Sequence, residues 1–135
     1  SSPFDFIAQE PTYFERLESS YHEDIKKALA LFPDYVTPNI AVYLLPNESW
    51  ARRVSGVFSN KIANDTPGRA HAVLTKKRDG QFLVSVRAPL DNKQGADLIC
   101  REFPTGGGRA AAAGINSLPA YEVENLIEKL VTAYS

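Results

Sequence analysis

The 135-residue chain has no methionine, one cysteine, two histidines and no surplus of positive charge. Each shortage removes a class of function. Cys100 alone can make neither an internal disulfide nor a cysteine-built zinc site. It stands at helical spacing from Ala96, Ile99 and Phe103, which reads as a small buried hydrophobe rather than a nucleophile. His22 and His71 have no second histidine, cysteine or paired acid at ligand spacing, so the chain spells out no metal centre. A formal charge of −1 excludes the broad basic footprint used to hold duplex nucleic acid and leaves room only for a local basic pocket. No apolar run approaches the ~20 residues that cross a bilayer, and Ser1-Ser2-Pro3-Phe4-Asp5 lacks the basic-then-apolar order of an export leader. The expectation is a soluble, cytoplasmic domain with no membrane contact.

Catalytic signatures are missing as well. There is no Gly-x-Ser-x-Gly elbow, no phosphate loop ending in Gly-Lys-Ser/Thr and no Asp-His-His cluster. Asp91, Asp97 and Glu102 are strung along one turn and helix without a partner base. The chain therefore carries no self-contained catalytic set. The absence of methionine even at the first position, together with an aromatic, proline-punctuated arm (Phe4, Phe6, Tyr13 and Phe14 around Pro3 and Pro11), suggests a piece of a longer chain. On this reading residues 1–18 are a connecting arm and residues 19–135 form one domain.

The chain is most distinctive at Gly106-Gly107-Gly108-Arg109, followed by Ala110 to Ala113 and Gly114. Three glycines permit positive φ and close approach of a ligand, and successive amides in such a turn can form a nest for phosphate oxygens. Arg109 adds a fork of donors suited to phosphate or carboxylate. The alanines suit a helical turn whose N-terminal amides face the same anion. A plain flexible turn with Arg109 in solvent is the competing reading.

Elsewhere, Ser20 and Glu23 fit a capping box ahead of a helix with Tyr21, Ile25, Ala28, Leu29 and Phe32 on one face. Residues 39–45 read as a buried strand. A helix capped by Asn47 or Ser49 carries Val54, Val57, Phe58 and Ile62 to about Asn64. Residues 70–76 and 81–88 are two strands around the Asp79-Gly80 hairpin signal. A helix is expected over 93–103, a short extended segment over 115–118, and a last helix after Pro119. The order implies an α/β domain, a mixed sheet of about four to five strands covered by helices. Arg87, at the end of a buried strand after Ser85, needs a cleft or a partner, because stranding it in the core would be expensive. Asn60 lies on a polar helix side that can line a groove. Arg52 and Arg53 read as at least one solvated residue, and Lys76-Lys77-Arg78 as a wet hairpin tip.

These pieces together resemble the DHH-associated C-terminal domain of the DHH phosphoesterases, the family of RecJ-type exonucleases, oligoribonuclease/phosphoadenosine-phosphate phosphatases and exopolyphosphatase-like proteins. The resemblance rests on the helix from Val54 to Ala63 (Val-Ser-Gly-Val-Phe-Ser-Asn-Lys-Ile-Ala), on Ser85-Val86-Arg87, and on Gly106-Gly107-Gly108-Arg109 with Ala112-Ala113-Gly114. It implies that Arg87, Ser85, Asn60, the Gly106 to Gly108 amides and Arg109 hold a phosphate-bearing ligand. That ligand would be a single-stranded oligonucleotide, a nucleotide or polyphosphate. The two divalent ions, usually manganese, would sit in a separate N-terminal domain absent from this sequence, and a homodimer is left open. Arg109 stands where the family usually has histidine, which keeps charge clamping and removes proton transfer. The C-terminal segment of alanyl-tRNA synthetases also tolerates arginine there, so a non-hydrolytic RNA- or nucleotide-binding module is the alternative.

Overall fold

The computed structural model describes residues 22–135, so Ser20, Tyr21 and the connecting arm lie outside the described residues. Helix α1 covers residues 22–29. It is followed by β1 (Tyr35–Val36), β2 (Ile40–Leu45), α2 (Ser49–Asp65), β3 (Ala70–Lys76), β4 (Phe82–Arg87), α3 (Ala96–Cys100), β5 (Gly106–Gly108), β6 (Ala112–Leu118) and, after a 3₁₀ turn at Ala120–Glu122, α4 (Val123–Ala133). The strands form one mixed sheet in the order β1-β2-β3-β4-β6-β5. Only β2 and β3 run parallel, and α2 is the crossover between them. The α/β class and the helix-covered mixed sheet agree with the sequence reading. The sheet has six strands because two short edge strands, Tyr35–Val36 and the glycines of β5, carry no alternating pattern to betray them.

Strand alternation sorts side chains to two faces. On one, Ile40, Val42, Ala72, Leu74, Val84, Val86 and Ile115 pack with α3 and α4 through Cys100, Phe103, Leu126 and Leu130. On the other, Leu45 and Val73 pack under Val54, Phe58 and Ile62 of α2, with Ala28 of α1. Helix α2 lies over β3 and the near side of β4. Beyond it, the same face of β4, β6 and β5 carries Ser85, Arg87, Ala112, Gly114 and Gly107, all only half-buried. Among the described residues no helix covers this half of the sheet face.

Several local expectations change. The helix expected over 93–103 is only Ala96–Cys100, because Gly95 takes a left-handed φ of 96° and Asn92 and Gln94 are tied into turns before it. After Cys100 the chain tightens, Glu102 donating to Ile99 O and Phe103 to Cys100 O, before Pro104. The alanines form no helix. Arg109 and Ala112 exchange both backbone hydrogen bonds around Ala110 and Ala111, a two-residue hairpin turn, and Ala112 opens β6. Their intrinsic helix preference is overridden by the ladder and by Ala88 and Ala96, whose amides donate to Ala111 O and Ala110 O. Leu29 and Phe32, expected on the packed face of α1, are exposed at 45% and 88%, while Asp24 is buried against Arg53 of α2. Neither Asn47 nor Ser49 caps α2: Glu48 holds that position with no side-chain bond.

Candidate functional site

The open half-face is organised around Arg87, the last residue of β4. Strand alternation puts Ser85 and Arg87 on the same side, away from Val84 and Val86 in the core. The Arg87 side chain turns back along its own strand: Nη1 donates to Ser85 Oγ at 2.8 Å and to Val86 O at 3.3 Å. Its Nε donates to Asn60 Oδ1 of α2 at 2.9 Å. Asn60, Ser85 and Arg87, picked out separately in the sequence, therefore form one hydrogen-bonded set. None of these partners is an acid.

Arg109 enters from the β5–β6 turn, which lies at the same end of the sheet because β4 and β6 pair with Arg87 opposite Ala112. It is exposed and, among the described residues, forms no side-chain hydrogen bond or salt bridge. Burial, and after it the charge of Arg109, lower the pKa of Arg87 from the usual guanidinium range. Two guanidinium groups in electrostatic reach of each other, with no carboxylate bonded to either among the described residues, form a local positive site on a chain of net charge −1.

The glycines contribute differently from the sequence expectation. They form strand β5 and not a concave amide nest. Gly106 donates its N–H to Phe103 O, and antiparallel alternation from the Arg109–Ala112 pair commits the Gly107 amide to Gly114. This leaves the Gly108 N–H facing outward at the edge. A Cβ at Gly106 would lie 1.6 Å from Cys100 O, and one at Gly108, where φ is 140°, would lie 2.4 Å from Ala113 Cα. These two glycines serve the fold. Gly107 is different: a Cβ there would meet nothing within 4 Å. It leaves a bare patch of backbone on the open face, beside Gly114.

Beneath the rim lies a residue whose alternation was undecided in the sequence. His71 of β3 pairs with Arg87, faces the α2 side and is 3% exposed. Burial foremost, and then the charge of Arg69, push its pKa down to about 4, so the ring is neutral at pH 7. Its Nδ1 is sealed from solvent with no hydrogen-bond partner. Cys100 is fully buried on the opposite face, and burial together with Asp97 raises its thiol to about 12, which leaves it protonated and unreactive.

Among the described residues no group of three His, Cys, Asp or Glu could hold a metal ion. No helix among them is long and apolar enough to cross a membrane.

No family model matches the chain, and no curated protein matches it. Solved structures do. The chain is similar to PggH, a pGpG-specific phosphodiesterase from Vibrio cholerae, with a TM-score of 0.64 at 16% identity over 98% of this chain and 45% of that one. It is similar also to an exopolyphosphatase-related protein from Bacteroides fragilis, with a TM-score of 0.64 at 19% identity over 85% of this chain and 35% of that one. The likeness is one of fold, and the chain spans less than half the length of either neighbour.

Proposed function

We propose that this chain is the substrate-binding domain of a DHH-family phosphoesterase, holding the phosphates of short oligonucleotides, nucleotides or polyphosphate. The observation that carries this reading is the Arg87–Arg109 pair, two cations with no counter-ion among the described residues at the edge of a sheet face that α2 leaves uncovered. Arg87 is pre-positioned by neutral partners, so its charge remains available to a ligand. Arg109 reaches from a turn and can close on the same oxyanion. The fold neighbours, a phosphodiesterase and an exopolyphosphatase-related protein, support the phosphoesterase setting. Hydrolysis would belong to a metal-bearing domain elsewhere in the parent protein, with manganese as the expected ion. The chain alone is expected to bind and not to cleave.

Titration with a 5′-phosphorylated dinucleotide tests the reading. Arg87→Ala and Arg109→Ala should each weaken binding by about 1 to 3 kcal/mol, the range for hydrogen bonds to charged groups, or roughly 5- to 150-fold in Kd. Affinity unchanged in both variants would remove the site. Arg109 in place of histidine also favours the second reading, a module that only binds RNA or nucleotides. A parent protein that binds these ligands and hydrolyses none of them with manganese present would establish it.

A further inference from the structure

The open face has a second cationic end. Helix α2 runs antiparallel to β3, so its N-terminus lies beside the β3–β4 hairpin, and its C-terminal half lies beside Arg87. Arg52, Gly56 and Asn60 fall four residues apart and make one line along α2. Asn60 bonds Arg87, which turns that line toward β4. At the hairpin end, Arg52 meets Lys77, Arg78 and Asp79 around a recess of about 340 Å³. Lys77 Nζ is anchored on β6, donating to Ser117 Oγ and to Asn116 O, and stands 4.0 Å from Asp79. Arg52 Nη1 donates to the neutral Asn47 Oδ1, and Arg78 has no ion-pair partner among the described residues. Of the four residues lining the recess three are cations and one is a carboxylate, while Glu48 precedes Arg52 by one helical turn and is not part of the lining.

The stretch between the two ends is neutral. Its floor holds Leu83, Ser85 and Gly114, and its α2 wall holds Gly56, where a Cβ would meet nothing within 4 Å. A glycine inside a 17-residue helix is unfavourable by roughly 1 kcal/mol relative to alanine, and no packing contact here requires it. What it leaves is room. The strand β4 spans roughly 17 Å at ~3.3 Å per residue, but the Arg87 guanidinium turns back to Ser85 and Asn60, so the two cationic ends lie closer, near the ~12 Å that separates Arg52 from Asn60 along α2. A single phosphate group cannot touch both.

We propose that Arg52 and Arg78, with Lys77, form a second anion subsite, so that this face takes a short single-stranded oligonucleotide with one phosphate held at each cationic end and the intervening nucleotides lying across the neutral floor. This rests on the phosphate-binding reading of Arg87 and Arg109. A polyphosphate chain fits less well, because its charged units follow one another directly and would crowd the neutral stretch of Leu83, Gly114 and Gly56, whereas an oligonucleotide separates its phosphodiesters by uncharged nucleosides.

The test compares a 5′-phosphorylated adenylate dinucleotide, a hexanucleotide and inorganic polyphosphate of matched charge on the 135-residue chain, across a salt series. Arg52→Ala/Arg78→Ala should weaken the hexanucleotide about tenfold or more and leave the dinucleotide unchanged. It should also lower the salt slope for the hexanucleotide by roughly 0.7 per lost phosphate contact. Gly56→Leu should weaken the hexanucleotide selectively without lowering the urea midpoint. Arg87→Ala should weaken both oligonucleotides. Hexanucleotide affinity and salt slope unaffected by Arg52→Ala/Arg78→Ala, with Arg87→Ala still harmful, would overturn the second subsite and leave the first standing. Insensitivity of both ligands to Arg87→Ala would remove the underlying reading instead. Polyphosphate binding tighter than the hexanucleotide would overturn the oligonucleotide assignment.

Discussion

Gly106→Ala should destabilise the domain by at least about 3 kcal/mol, while Gly107→Ala, one residue later, should shift stability by no more than about 0.5 kcal/mol. The two glycines sit in the same strand and differ in what lies over them. At Gly106 the added carbon would be 1.6 Å from Cys100 O and 2.5 Å from Cys100 C, both backbone atoms. No rotamer change can relieve that overlap. Either α3 lifts from the sheet, uncovering Ile99, Cys100 and Phe103, or β5 leaves β6. At Gly107 the same carbon points into open space. Urea unfolding measures both, as a fall in midpoint at constant slope for Gly106→Ala and little movement for Gly107→Ala. Equal midpoints would mean that α3 does not rest on the glycine strand. The ligand should invert the order: Gly107→Leu, with a side chain lying across the open face, is expected to lose binding while remaining folded.

Acidification from pH 7 to about 4 should remove about 3 kcal/mol of stability through His71 alone. The buried ring takes a proton only near pH 4, whereas in the unfolded chain it does so near the ordinary value of 6.5. Between those limits the unfolded state holds the extra proton, so stability is fully present above about pH 6.5 and falls as pH drops toward 4. The difference of about 2.5 pH units at about 1.4 kcal/mol each sets the size. Carboxylates add their own slope at the acid end, so the measurement compares wild type with His71→Leu in urea at several pH values. The leucine variant also removes a sealed nitrogen that has no partner, and replacing such a group with an apolar one of similar size is close to neutral at pH 7. The two stability profiles should meet near neutrality and separate below pH 6. Parallel profiles would show that His71 is protonated in the folded state.

Several periodic elements were legible in the sequence to within a residue or two, although α3 is three residues shorter at each end than its pattern suggested. The run Ala70–Lys76, the hairpin at Asp79-Gly80 and three of the four stripe residues of α2, Val54, Phe58 and Ile62, stand where alternation and 3.6-residue spacing put them, while Val57 is exposed. What failed altogether lacks a period. Three glycines and four alanines give propensity little to act on, and their strand is imposed by neighbours: Cys100 O above Gly106, Ala88 and Ala96 gripping the turn. The burial of Asp24 against Arg53, 29 positions away, depends on how α1 is laid across α2, which no local pattern encodes. The site was partly readable. Ser85 and Arg87 share a face by simple alternation, and Arg87 at a strand end called for a neighbour. That this neighbour is Asn60 follows only from the crossover of α2, and the shared charge field with Arg109 only from the β4–β6 pairing.

Arg87 is held by three hydrogen bonds from Nε and Nη1, whereas Arg109 hangs from a turn with nothing gripping its side chain among the described residues. The freezing of side-chain motion that accompanies capture of an anion therefore falls on one arginine only. In the proposed complex the anchored guanidinium would set where the anion rests, and the loose one how long it stays.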